Sequence, residues 1–205
     1  MQEASRKLAT LHREIGACRK CAEAGYDVES APHLVISGPV DARLMVIGQA
    51  PPSERSSHGR PRPWASGPAG QRLFKWLAKA GWEEEEFRAR CYITAITKCY
   101  PGKAAKGDRR PTAAEQKLCR PFLDRELQLV MPQVVVLVGG LAIESFLGDN
   151  KLEDIVGRVI VRDDVRYVPL PHPSGASLWL NAPQNQARVR KALKALEQLK
   201  HDLQL

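Results

Sequence analysis

The chain carries five cysteines, and their spacing divides them. Cys18-Arg-Lys-Cys21 is a C-x₂-C pair whose two thiolates can reach one metal centre from a single helix end. Cys99 and Cys119 can supply the other two ligands of a four-thiolate site. Zinc accepts four thiolates, but structural zinc sites usually build both halves from closely spaced pairs. Here the second pair is spread across a loop and a helix turn, which leans toward an iron–sulfur cluster. The alternative is four separate packing cysteines, since free cysteine is among the most buried residue types. Cys91, at the start of an apolar run, reads as packing. An odd number of cysteines without a secretory signal argues against a disulfide scaffold.

These residues need elements to position them. Leu8, Leu11, Ile15 and Cys18 recur at helical steps and predict an amphipathic helix over 4–24, ended by Gly25. Arg43-Leu-Met-Val-Ile-Gly48 reads as a strand that feeds a long loop rich in Pro, Ser, Arg and Gly. A helix over 68–80, with Leu73, Phe74 and Leu77 inward, closes at Gly81, and a second strand spans 91–97. After a basic loop, Thr112-Ala-Ala-Glu115 is a capping-box pattern that starts a helix running to about Val130. Val134-Val-Val-Leu-Val138 is apolar throughout, as expected of a strand covered on both faces. A helix over 140–147, short strands near 158–162 and 166–170, and a helix over 183–202 complete the series. Alternating strands and helices imply an α/β fold with a mostly parallel sheet flanked on both sides. In such sheets ligands bind outside the carboxyl ends of the strands, where the loops after Ile47, Thr97 and Leu170 would lie.

The length of 205 residues suits a single domain over 1–205, burying about two-thirds of its unfolded surface. With 31 Lys+Arg against 23 Asp+Glu the net charge is +8 and the pI about 9.4, which favours a polyanionic partner. The N-terminal residues lack an apolar signal region, and no stretch approaches the roughly 18 apolar residues of a membrane span. A cytoplasmic protein with no membrane partner is expected.

Three segments together resemble the iron–sulfur family 4 of the uracil-DNA glycosylase superfamily. They are Gly48-Gln-Ala-Pro51 with Gly59-Arg-Pro61 and Gly67-Pro-Ala-Gly70 behind it, Tyr92-Ile-Thr-Ala-Ile-Thr-Lys-Cys99, and His172-Pro-Ser174. Their order and spacing match from about Cys18 to the final helix. The resemblance implies a three-layer α/β/α sandwich with a four-stranded, mostly parallel sheet. It also implies a [4Fe–4S] cluster on Cys18, Cys21, Cys99 and Cys119, and hydrolysis of the N-glycosidic bond of a damaged base flipped out of DNA in base excision repair; a monomer is expected. Such a base is held by stacking and edge hydrogen bonds, and donors at the developing anion do most of the work.

Residue by residue, the resemblance makes His172 the donor to the base carbonyl and sets Gln49 beside it. Gly48, Ala50, Trp64, Ala95 and Ser174 would line the base site, with Trp64 stacking on the base. Leu178 or Trp179, in Ser174-Gly-Ala-Ser-Leu-Trp-Leu-Asn181, would wedge into the vacated stack. Lys98, Lys103, Lys106, Arg109 and Arg110 would meet phosphates, which position the duplex without reading its sequence. The cluster would tie the N-terminal helix to the loop after the second strand.

The chain departs from the family pattern twice. Family 4 members carry an acidic residue where Gln49 stands and an Asn where Ala95 stands. Gln cannot orient water or stabilise an oxocarbenium ion by charge, and Ala cannot read the uracil edge. The water would then be positioned by main chain or by another acid, Glu54 being the nearby carboxylate in that loop. The pocket would alternatively take other deaminated bases such as hypoxanthine or xanthine, or the protein would bind DNA lesions with little turnover. A zinc-stabilised structural protein is the remaining class.

Overall fold

The computed structural model describes residues 1–32, 35–53, 55, 62–65, 67–105, 107–175 and 178–205. Glu54, the Gly59-Arg-Pro61 segment, Lys106, and Ala176 and Ser177 of the wedge loop lie outside the described residues.

Helix α1 (Gln2–Gly16) buries Leu8, Leu11 and Ile15, the three- and four-residue stripe of the sequence. It does not run on to Gly25. The chain breaks after Gly16, where Cys18 N–H folds back on the Ile15 carbonyl at 3.1 Å, and a single turn, α2 (Lys20–Glu23), follows. Glycine is a poor helix former, and the break sets Cys18 and Cys21 at a corner rather than on one helix. Gly25, with φ +80°, ends α2 instead.

Strand β1 (Glu29–Ser30) leads to β2 (Leu44–Gly48), buried along its whole length. Helices α3 (Gly67–Lys79) and α4 (Glu84–Arg90) connect it to β3 (Tyr92–Ala95). Strand β4 (Cys99–Tyr100) pairs antiparallel with β1. The periodicity missed both α4 and this two-residue ladder, because neither is long enough to display a repeat. Helix α5 (Ala113–Val130) opens on the expected capping box, with Thr112 and Glu115 each satisfying the other's amide. Then come β5 (Val134–Val138), α6 (Gly140–Leu147), the short α7 (Leu152–Ile155), β6 (Ile160–Arg162), β7 (Val165–Leu170), a 3₁₀ turn (Leu178–Asn181) and α8 (Pro183–Leu203).

The central sheet has the order β3-β2-β5-β7-β6. The first four strands run parallel, and helices flank the sheet as the α/β pattern required. The sheet has five strands rather than the four the resemblance implied. The fifth, β6, is an antiparallel edge hairpin onto β7, closed by Asp163 and Asp164 at φ +47° and +63°. Two consecutive left-handed residues form the tight turn whose twist matches a hairpin, and short Asp-Asp tolerates that conformation.

Register aligns Gly48 with Ala95 and Val138 with Leu170, so β2, β3, β5 and β7 end at one edge of the sheet. The chain leaves β2 toward β3 on one side and later places β5 on the other. That reversal opens a crevice at the carboxyl ends of the strands.

Candidate active site

The crevice holds a cavity of about 130 Å³. The end of β2 contributes Gly48 and Ala50, the end of β3 contributes Thr94 and Ala95, and the segment after β7 contributes His172. Trp64 and Gly70 close one wall, and Asp108 reaches in from the loop after β4.

Two glycines let the wall form. A Cβ on Gly70 would stand 2.1 Å from the Trp64 carbonyl oxygen, and one on Gly48 would stand 3.0 Å from Cζ2 of the indole. Trp64 itself sits at φ +56°, an unusual backbone for a bulky residue and one that occurs where the surroundings impose it. Its ring lies 5.8 Å from the His172 ring at a 44° tilt.

His172 accepts a hydrogen bond on Nδ1 from the Ser174 backbone N–H at 3.3 Å. In the neutral imidazole that leaves the proton on Nε2, as a donor for a ligand. Burial holds the imidazole below its ordinary pKa, with the charge of Asp108 opposing, so the neutral form prevails at neutral pH. The Ser174 carbonyl is in turn fixed by Arg72 at 3.2 Å.

Gln49 lies between Gly48 and Ala50, but its side chain turns to the neighbouring loop, donating from Nε2 to the Arg109 carbonyl at 3.4 Å. Arg109 anchors that loop: its guanidinium forms two 2.7 Å bonds to Glu115 and its Nε donates to the Pro101 carbonyl at 2.7 Å. The guanidinium holds the Glu115 carboxyl down at about 2. Arg110 pairs with Glu144.

Lys98 corrects the sequence expectation. Its side chain is 2% exposed, which closes it to a phosphate. Instead Nζ donates to Thr94 Oγ1 and the Ala95 carbonyl, each at 2.6 Å, and pairs with Glu126 at 2.7 Å. Lys103 of the same basic segment is 76% exposed at its side chain. The sequence reading overlooked a basic groove of about 350 Å³ between α3 and α8, lined by Arg72, Lys79 and Arg190 beside Leu180 and Asn181. The seven-residue step from Arg72 to Lys79, two helical turns, could have revealed it. Leu178 is 78% exposed on the 3₁₀ turn, whereas Trp179 packs half-buried on the core with its carbonyl bound by Asn185 at 2.9 Å. Of the two wedge candidates, Leu178 is therefore the one free to project.

Cys18, Cys21, Cys99 and Cys119 line one small cavity, together with Lys98 and Phe122. Burial raises the Cys21 thiol. It also lifts Cys99 to about 12, with the three neighbouring cysteines adding to the shift, and Cys119 to about 11, with Lys98 opposing. Among the described residues no group of three or more His, Cys, Asp or Glu is gathered so as to hold a metal ion. Cys91 stands apart in the core, as its apolar context predicted. Among the described residues no helix is long and apolar enough to cross a membrane.

The family model of the uracil DNA glycosylase superfamily matches residues 35–197. A type-4 uracil-DNA glycosylase of Archaeoglobus fulgidus is 32% identical over 201 residues, which are 94% of this chain and 92% of that protein. A type-4 uracil-DNA glycosylase of Thermotoga maritima is 29% identical over 134 residues, 65% of this chain and 64% of that one. A type-5 uracil-DNA glycosylase of Pyrobaculum aerophilum is 34% identical over 152 residues, 67% of this chain and 63% of that one. The alignments thus span nearly all of the Archaeoglobus protein and a little under two thirds of the other two.

Proposed function

Since the chain belongs to the uracil-DNA glycosylase superfamily, we propose that it is a DNA glycosylase that releases uracil or another deaminated base flipped out of DNA. The observation that carries this reading is the neutral His172, whose Nδ1 is occupied by Ser174 N–H and whose Nε2–H remains as a donor beside Trp64. A base leaving with the electron pair of its glycosidic bond develops negative charge on a ring carbonyl. A fixed donor at that oxygen contributes about 10²–10³-fold in rate. Trp64 supplies a stacking wall, worth about 1–3 kcal/mol to a base. Leu178 fills the gap in the stack, and Lys103 with the groove of Arg72, Lys79 and Arg190 takes up phosphates.

Base choice follows from what the pocket lacks. Ala95 offers no side-chain hydrogen bond, and the Thr94 hydroxyl is engaged with Lys98 and Glu126. With neither of these on offer, the edge of the base is left to His172, backbone groups and shape, which admits deaminated purines as well as uracil.

The four cysteines on one cavity are a soft, all-sulfur donor set that suits a [4Fe–4S] cluster, with zinc as the second candidate. Their raised thiol pKa values mean that a bound cation is what would deprotonate them. Such a group would fasten the corner after α1 to β4 and α5; none of the chemistry above passes through it. We propose one cytoplasmic domain acting as a monomer on damaged DNA.

The test is a base-release assay on oligonucleotides carrying uracil, hypoxanthine or xanthine, single- and double-stranded. Alkali-labile sites formed by the wild type and lost in His172→Ala support the reading. Tight, salt-sensitive DNA binding without release from any substrate would leave a lesion-binding protein instead. Iron and sulfide, rather than zinc, should accompany the anaerobically purified protein.

A further inference from the structure

We propose that Asp108 is the carboxylate of the hydrolytic step, delivered by the loop after β4, and that Gln49 is the positioning residue that pins this loop. The inference rests on the glycosylase reading and deepens it. Hydrolysis of a glycosidic bond needs an acceptor for the proton of the attacking water and a negative charge near the sugar as positive character grows there. The loop after β2 supplies no such group in its described residues, because Gln49 carries no charge and turns away onto the Arg109 carbonyl.

Asp108 meets the requirement by placement. It lines the same cavity as His172, Trp64 and Ala95, and is the one carboxylate in that lining among the described residues. Glu126, behind β3, is fully buried and occupied by Lys98, Thr94 and Tyr92. The side chain of Asp108 is 45% exposed, so water reaches it. Tyr100 donates its hydroxyl to Oδ1 at 3.2 Å, and the Lys103 ammonium lies 4.0 Å from that same oxygen. Both contacts fall on Oδ1, so among the described residues Oδ2 is left for a water. The charge of Asp108 also bears on His172, across the cavity that both residues line.

The loop is built to hold that position. Lys103 and Asp108 form an antiparallel bridge, and Arg109 N–H closes on the Gly102 carbonyl at 2.8 Å. Arg109 is clamped by Glu115, and Gln49 takes hold of the residue next to Asp108. In the step, the C1′–N bond breaks and its electron pair leaves with the base, whose carbonyl anion is stabilised by His172 Nε2–H. The water oxygen bonds to C1′ and its proton passes to Asp108 Oδ2 and on to solvent. Solvent protonates the released base.

The experiment compares single-turnover base release by wild type, Asp108→Asn, Gln49→Ala and the double variant, with DNA affinity and melting temperature measured alongside. Asp108→Asn should lose about 10²–10⁴-fold in rate, the range of a positioned general base, at unchanged affinity and melting temperature. Gln49→Ala should lose less, and adding it to Asp108→Asn should cost almost nothing more, because both act through one carboxylate. Should Asp108→Asn prove unstable, Asp108→Ala with and without added formate replaces it. A formate-dependent gain confined to that variant supports the carboxylate role, which a merely structural aspartate would not show. A wild type that releases base while the Asp108 variant stays within about threefold of it overturns the proposal and leaves the glycosylase reading intact. A wild type that releases no base overturns both.

Discussion

Replacing Lys98 by Met removes one partner of an ion pair that has no access to water. Lys98 is 2% exposed and Glu126 0%. The ammonium makes three contacts of 2.6–2.7 Å, to Thr94, the Ala95 carbonyl and Glu126. Without it Glu126 keeps, among the described residues, only the hydroxyls of Tyr92 and Thr94, each at 3.0 Å. Neutral hydroxyls do not compensate a buried charge, and breaking such a pair costs about 3–5 kcal/mol. A domain of this size holds about 5–15 kcal/mol in total, so roughly a fifth or more of its stability should go. At about 2–4 °C per kcal/mol the melting temperature should fall by roughly 6–20 °C. Lys98→Met combined with Glu126→Leu should recover most of the loss, since an apolar pair of similar volume is often neutral. Tyr92 would still hold His12 at 2.8 Å, leaving chiefly Thr94 short of a partner, at about 1–3 kcal/mol. Urea unfolding at neutral pH, with m-values compared across the set, reads all three proteins. A single variant costing less than about 1 kcal/mol, or a double variant no more stable than the single, would refute the claim that this pair is locked and desolvated. Because Lys98 also touches the cavity floor at Ala95 and lines the cysteine cavity, the single variant should weaken both sites at once.

Glu115→Gln should destabilise the protein at neutral pH. The Glu115 carboxyl is held at about 2, below its ordinary 4.5, so its contribution is complete above about 4.5 and lost as pH falls toward about 2. The gap between wild type and variant in urea midpoint should shrink through that window; a gap independent of pH would contradict the assignment. Gly70→Ala places a Cβ 2.1 Å from the backbone oxygen of Trp64, which cannot move without its strained turn. Thermal unfolding should show a loss of about 1–3 kcal/mol, and an unchanged midpoint would count against the Trp64 wall as described. Leu178→Ala should slow base release from duplex DNA several-fold and leave single-stranded substrate untouched, because only the duplex has a stack to fill. Equal slowing on both substrates would remove Leu178 from the wedge role.

Much of this protein is legible along the chain. The apolar runs of β2 and β5, the stripe of Leu8, Leu11 and Ile15, and the Thr112 capping box are local patterns whose physics acts within a few residues. The four cysteines were also singled out by spacing, and the fold brings them to one cavity. The break after Gly16 and the pairing of β1 with β4 were not legible, because short elements are stabilised by partners distant in sequence rather than by their own periodicity. Charge was the least readable property. Lys98 and Lys103 carry the same side chain in one basic segment, yet one is sealed against Glu126 and the other stands in solvent. Gln49 meets Arg109 across 60 residues of chain, and Asp108, the residue before Arg109, lines one cavity with His172. Sequence determined which strands would end together at one edge. The packing of loops between those ends, a sum of long-range contacts with no local signature, decided which polar groups share the cavity.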